Sequence, residues 1–375
     1  MSWIKNIVLV TISFCFCYFL LIVGDWFIGR TMEQAINRNL AYSEAAEVEN
    51  QRVQSEDIPQ RERAISEGFS PMIYPSLLDP IQQEYPLIAG LPFTDTYYCN
   101  EGYGLIKYRS DRFGFRNEDS LWDKEPRKIM IGDSFVHGAC VPDESTIPYL
   151  LSKELNETVM NLGIGGNDPS HYYAYAKLFV PLVKPTELYV VFYANDKGIE
   201  DKSAVEYAYV EEDKKIFDKS EISLFDVDYF KKEGERATAL LKKQSEAKMQ
   251  ASLIDRAYNA VIRHSKLPEI SNIIFQKKSS FHMTRRTIER VSGLCNDYEC
   301  NVIVGFIPNS EYFRPDSHAD EYGNRIAKLT EQLGLDFVDG RNLLDRTKNS
   351  LDYALKGPHL SPVGYKKMAD AFANR

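Results

Sequence analysis

Lys128-Ile129-Met130-Ile131-Gly132-Asp133-Ser134-Phe135 decides the fold. A short apolar run that ends in a tight Gly-Asp turn predicts a buried strand, with the serine hydroxyl lifted to the strand's carboxyl end. That edge is where open α/β sheets place their chemistry. A second marker stands far downstream, where His359 lies in Gly357-Pro358-His359-Leu360-Ser361-Pro362, just ahead of a final helical run. A serine after an early strand and a histidine before the last helix can meet in space although they are distant in sequence.

Outward from this stretch the pattern is strand–helix alternation. Short runs rich in β-branched residues at 128–131, 159–162, 188–193, 302–307 and 335–338 predict strands. Helical patterns fall at 145–155, 169–182, 284–298, 317–333 and 362–373. The fold class is α/β, with a parallel sheet of about five strands covered on both faces. Residues 200–283 break the rhythm with charged runs such as Glu211-Glu212-Asp213-Lys214-Lys215 and helical stretches near 228–250 and 252–264. They read as a helical insertion after the third strand, which either shapes the site or decorates the surface.

The predicted domain core is 127–375, preceded by an irregular extension at 69–126 and a polar, partly helical stalk at 30–68. The nineteen residues from Asn6 to Gly24 carry no charge and are about long enough to cross a bilayer at ~1.5 Å per residue. Residues 1–29 therefore read as a retained signal-anchor, against a cleaved signal or a buried core helix. Lysine and arginine nearly balance across this segment, so its short N-terminal tail decides the topology, with the rest of the chain outside the cytoplasm. Cys15 and Cys17 lie within the apolar stretch; Cys99, Cys140, Cys295 and Cys300 remain. Four cysteines permit three pairings in an oxidising compartment. The preferred set is Cys99–Cys140 with Cys295–Cys300, the alternative being four reduced thiols. No metal-ligand spacing accompanies them. The net charge of −9 argues against a nucleic-acid partner.

A serine hydroxyl needs a base within hydrogen-bond reach and donors for the oxyanion formed on attack. Ser134 and His359 supply the first pair. The candidate oxyanion donors are the peptide N–H of Ser134, the N–H of Gly166 in Gly165-Gly166-Asn167 after the second strand, and the side-chain amide of Asn195 after the third. Losing one such donor costs about 3 kcal/mol in the barrier. Asp133 reads as a brace for the nucleophile turn; His137, three residues after Ser134, reads as a loop residue, with contact to the site as the alternative. His171, at the start of a helix, is a candidate to line the cleft and bind substrate. Tyr97-Tyr98 and Tyr172-Tyr173 are candidates to stack on sugars, with core packing as the alternative. His264, His282 and His318 read as surface or insertion residues.

Ser134, Gly166, Asn195 and His359, in this chain order, resemble the four blocks of the SGNH hydrolase superfamily, the GDSL-like lipases and esterases, over about 127–375. The run Ser110 to Arg116 and the N-terminal segment look like the membrane-anchored bacterial members. The resemblance implies a flavodoxin-like three-layer sandwich and a Ser-His-Asp type mechanism on esters, with no cofactor. Substrates would be acyl esters of cell-envelope or secreted glycans, or small esters, with water or a sugar hydroxyl accepting the acyl group. One departure stands out. The family places an aspartate two or three residues before the histidine, where this chain has Gly357 and Lys356. Asp352 is the candidate substitute, Asp339 and Asp345 weaker ones, and a backbone carbonyl is a further option. Lys356 is a candidate to hold an acidic group of the substrate. The departure also keeps open a Ser-His dyad, reduced activity, or a non-catalytic glycan-binding or polysaccharide assembly factor on the same fold.

Overall fold

The computed structural model describes residues 58–73, 87–124, 128–196, 281–316 and 318–375, with isolated helical positions between 228 and 239. The expected signal-anchor, the stalk up to residue 57 and nearly all of the insertion lie outside the described residues. Among the described residues no helix is long and apolar enough to cross a membrane.

The described part of the extension at 69–126, expected to be irregular, includes a small three-stranded sheet. Strands β1 (Ser70–Pro71), β2 (Asp95–Tyr97) and β3 (Lys107–Arg109) pair in that order, β1 parallel and β3 antiparallel to β2. Two- and three-residue strands are too short for alternation to reveal.

The main sheet comprises β4 (Lys128–Gly132), β5 (Val159–Gly163), β6 (Glu187–Tyr193), β7 (Asn301–Ile307) and β8 (Asp336–Asp339). All five run parallel, in the spatial order β5-β4-β6-β7-β8. Chain order reverses at β4, which makes its carboxyl end the switch point where α/β sheets open a crevice. β4 and β5 are buried throughout, and β6 is buried beyond Glu187, because helices cover both faces. After the one-turn helix α1 (Ser134–His137), α2 (Ile147–Leu155) packs with α6 (Pro362–Ala373). On the other layer α3 (Pro169–Val183) packs with α4 (His282–Tyr298), which in turn meets α5 (Ala319–Leu333). Local chemistry sets the helix starts. Asp168 accepts the N–H groups of Ser170 and His171 ahead of α3, and Ser361 Oγ accepts those of Val363 and Gly364 ahead of α6. Both helices carry proline in their first turn, where no N–H is needed.

Buried Asp111 welds the extension to the domain. Its carboxylate accepts the N–H groups of Phe113 and Phe115, the Asn117 amide and the Trp122 indole, all at 2.9–3.0 Å. Asn117 in turn bonds both peptide groups of Asn161 on the edge strand β5, at 2.8 and 2.9 Å. Phe113 and Phe115 are thereby set edge-on against Phe179 and Tyr175. Despite its four donors, burial pushes the Asp111 carboxyl up to about 6 from 3.8. The folded state therefore binds this proton more tightly than the unfolded chain. The stabilising contribution is full below about pH 4 and lost as pH rises through about 6, a change of about 3 kcal/mol. Urea midpoints measured across that window are expected to fall for the wild type, with the Asp111 component of the slope absent in Asp111→Asn.

Candidate active site

The turn that carries Ser134 is built by Asp133. Its Oδ1 accepts the Phe135 N–H at 2.9 Å and starts α1 immediately after β4, and Gly138 ends α1 in the left-handed region. The turn sits hard against β5. A Cβ on Gly163 would lie 2.4 Å from the His137 nitrogen, so only glycine admits this approach. Burial raises the Asp133 carboxyl to about 6, against the lowering charges of His359 and Arg314.

His359 arrives on a loop pinned by a bridge between Tyr353 and Leu360 and by the Ala354 N–H donating to the His359 carbonyl at 2.8 Å. Its Nε2 lies 3.0 Å from Ser134 Oγ. Its Nδ1 lies 2.7 Å from Oε1 of Glu101, while its backbone N–H donates to Oε2 at 3.1 Å. Hydroxyl, imidazole and carboxylate thus form a continuous chain. Glu101 comes from the small N-terminal sheet's 98–106 loop. The Lys356 N–H donates to the Glu101 carbonyl at 3.1 Å, and a Cβ on Gly357 would fall 1.9 Å from the Glu101 carboxyl carbon. Gly357→Ala is accordingly expected to displace the carboxylate and lower kcat by about a hundredfold, with KM little changed. Steady-state assay beside a melting curve checks this.

The carboxylate at the ring is therefore not Asp352. That side chain is buried and accepts the Asp345 N–H at 2.8 Å and Lys367 Nζ at 2.7 Å, so it ties the loop to α6. Asp339 pairs with Arg341 at 2.8 Å and Asp345 caps Thr347 at 3.0 Å. Glu101 stands 258 residues from His359 in sequence, beyond any local motif.

Gly166 and Asn195 are both exposed, in the turns that follow β5 and β6, the two strands flanking β4. The Asn195 turn is held by Asp196, which accepts the Tyr193 N–H at 2.9 Å and the Tyr172 hydroxyl at 3.0 Å. Burial pushes the Asp196 carboxyl well up, and the nearby Asp133 adds to this. His171 is buried rather than open to a cleft, its Nδ1 3.2 Å from Asp168 Oδ1 under the first turn of α3. His137 is not in a loop; it lies wholly buried in α1, stacked on Tyr98. Tyr97 and Tyr172 are core residues.

Cys99 bonds Cys140, and Cys295 bonds Cys300. The first bridge joins the Glu101 loop to the segment after α1, and Cys140 Sγ lies 3.9 Å from His359 Nδ1. Closing 41 residues, it is worth about 4 kcal/mol by loop entropy. Glu101, Cys140 and His359 could together hold a metal only if that sulfur were free. A cavity of about 830 Å³ runs along the outer edge of β5, lined by Tyr108, Asn117, Tyr149 and Lys153, and includes none of Ser134, Glu101 and His359.

No family model matches the chain, and no curated protein does. Among solved structures it is similar to a protein of the lipolytic G-D-S-L family from Desulfitobacterium hafniense, at 12% identity and a TM-score of 0.39, covering 66% of this chain and 98% of that one. It is likewise similar to a GDSL-like lipase from Bacteroides thetaiotaomicron, at 11% identity and a TM-score of 0.36, covering 67% and 88%. A lipase/acylhydrolase from Enterococcus faecalis gives 15% identity and a TM-score of 0.37, covering 66% and 94%.

Proposed function

We propose that this chain is an SGNH-type serine ester hydrolase or O-acyltransferase. The carrying observation is the Ser134–His359–Glu101 chain, with spacings of 3.0 and 2.7 Å, at the carboxyl edge of a parallel sheet. Glu101 accepts the Nδ1–H and holds the ring in the tautomer whose Nε2 can take a proton. His359 removes the Ser134 proton as Oγ attacks the ester carbonyl. The N–H groups of Ser134 and Gly166 and the Asn195 amide receive the oxyanion. His359 then protonates the departing alcohol, and water or a sugar hydroxyl cleaves the acyl-enzyme.

The substrate class we favour is a short acyl ester on a cell-envelope or secreted glycan, with Lys356 holding an acidic group where the glycan has one. In this reading the domain lies outside the cytoplasm, anchored by residues 6–24; the two disulfides and that apolar stretch support it. The second reading is a non-catalytic glycan-binding or assembly factor on the same fold, which rested on the missing aspartate; the contact of Glu101 with His359 Nδ1 favours the enzyme. The test is hydrolysis of p-nitrophenyl acetate and release of acetate from acetylated glycans by the detergent-purified chain. Activity lost in Ser134→Ala supports the enzyme. Glycan binding with equal traces of hydrolysis from both proteins would favour the binding module.

A further inference from the structure

His137 is fully buried, yet the chemistry described so far does not use it. It shares the one-turn helix α1 with Ser134, and its ring reaches β5's outgoing turn. The Gly165 N–H donates to His137 Nδ1 at 3.2 Å. Since Nδ1 accepts, Nε2 carries the proton and donates to the Tyr108 hydroxyl at 3.0 Å. Tyr98 stacks on the ring with centroids 4.8 Å apart, and Tyr108 meets it edge-on at 5.4 Å. Burial beside the Arg116 charge pushes the ring's pKa well down, which keeps Nδ1 free to accept. The turn it holds is short: the Asn167 N–H donates to the Ile164 carbonyl at 3.2 Å, with Gly165 and Gly166 between them. Gly166 sits there with φ +79, in the left-handed region that glycine adopts without steric cost.

We propose that His137 is a positioning residue: its neutral ring clamps the Gly165 peptide so that the next N–H, that of Gly166, points into the oxyanion site. The small N-terminal sheet then supports both halves of the machinery. It delivers Glu101 to His359, and through Tyr98 and Tyr108 it fixes the ring that sets the oxyanion loop. The inference rests on the serine-esterase reading.

Two variants separate the clamp from mere packing. In His137→Asn the amide Oδ1 would stand where the ring Nδ1 stands; in His137→Gln the longer amide reaches toward Tyr108 instead. In the full-length chain, His137→Gln is expected to lower kcat on p-nitrophenyl acetate by about 30-fold with KM within about twofold, a partial loss of one oxyanion donor. His137→Asn should retain kcat within about threefold. Equal kcat in the two variants, or an effect confined to KM, overturns the proposal. Amide exchange of the 160–167 segment supplies a readout independent of turnover. It should quicken about tenfold in His137→Gln and stay near wild type in His137→Asn, the size expected for loss of the one hydrogen bond from the Gly165 N–H to the side chain. Should neither variant fold, Tyr108→Phe decides, because it keeps the ring and removes only the Nε2 partner. A kcat lowered about threefold at constant KM supports the clamp, and an unchanged kcat overturns it. Wild-type chain that is inactive while the exchange pattern holds would sink the esterase reading, and with it the positioning role, leaving only the His137 hydrogen bond to the Gly165 peptide.

Discussion

Glu101→Gln is expected to lower kcat on p-nitrophenyl acetate by about ten-thousand-fold, with KM and melting temperature little changed. The reason lies in the donors around the carboxylate. The His359 backbone N–H faces one oxygen at 3.1 Å and Nδ1 faces the other at 2.7 Å. A carboxylate accepts both. A glutamine amide has only one oxygen, and the peptide N–H, which cannot be turned away, claims it. The NH2 group then points at Nδ1, which must become an acceptor. The ring proton moves to Nε2, and the imidazole can no longer take the proton from Ser134. Glu101→Asp keeps the charge but shortens the reach by one methylene, and it is expected to retain more activity than the amide. Steady-state kinetics on the three proteins check this order; a glutamine variant as active as wild type would remove Glu101 from the mechanism.

Ser134→Ala is the larger loss, about a million-fold in kcat, leaving only what the oxyanion donors and binding supply. Stability should move by about 0.5 kcal/mol or less, because the hydroxyl's hydrogen bond to His359 Nε2 is part-buried rather than part of the core. Affinity for the ester substrate should survive in this variant, which makes it the reagent for measuring binding apart from turnover. Combining Ser134→Ala with Glu101→Gln should cost no more than Ser134→Ala alone, since the two groups act as a unit.

The main sheet was legible because β4 to β7 are buried on both faces and read as continuous apolar runs. The ends differ by a residue where polar or glycine residues extend the ladder: Gly132 pairs with Gly163, and Glu187 with Asn301. Asp336 to Asp339 moves one residue from its apolar centre because the register runs from Ile303↔Asp336 to Phe306↔Asp339. Ser134 and His359 were legible from their places beside the sheet and the last helix. Glu101 was not, because Asn100-Glu101-Gly102 carries no periodic or motif signal and its partner is recruited through tertiary packing. One signal did exist. The preferred Cys99–Cys140 pairing puts residue 101 beside the nucleophile turn, and following that bridge would have raised Glu101 above Asp352. His137 misread as a loop residue has a similar cause: the helix that holds it is four residues long, too short for a 3.6-residue period to register.

The central claim is that Ser134 is a nucleophile activated by His359 and Glu101. Treating the intact chain with a fluorophosphonate and mapping the adduct by mass spectrometry tests it most directly. One phosphonyl adduct is predicted, on Ser134 Oγ, formed at a rate that collapses in His359→Ala and Glu101→Gln. A chain that stays unlabelled, or is labelled elsewhere, or whose Ser134 reacts equally fast in all three proteins would contradict it.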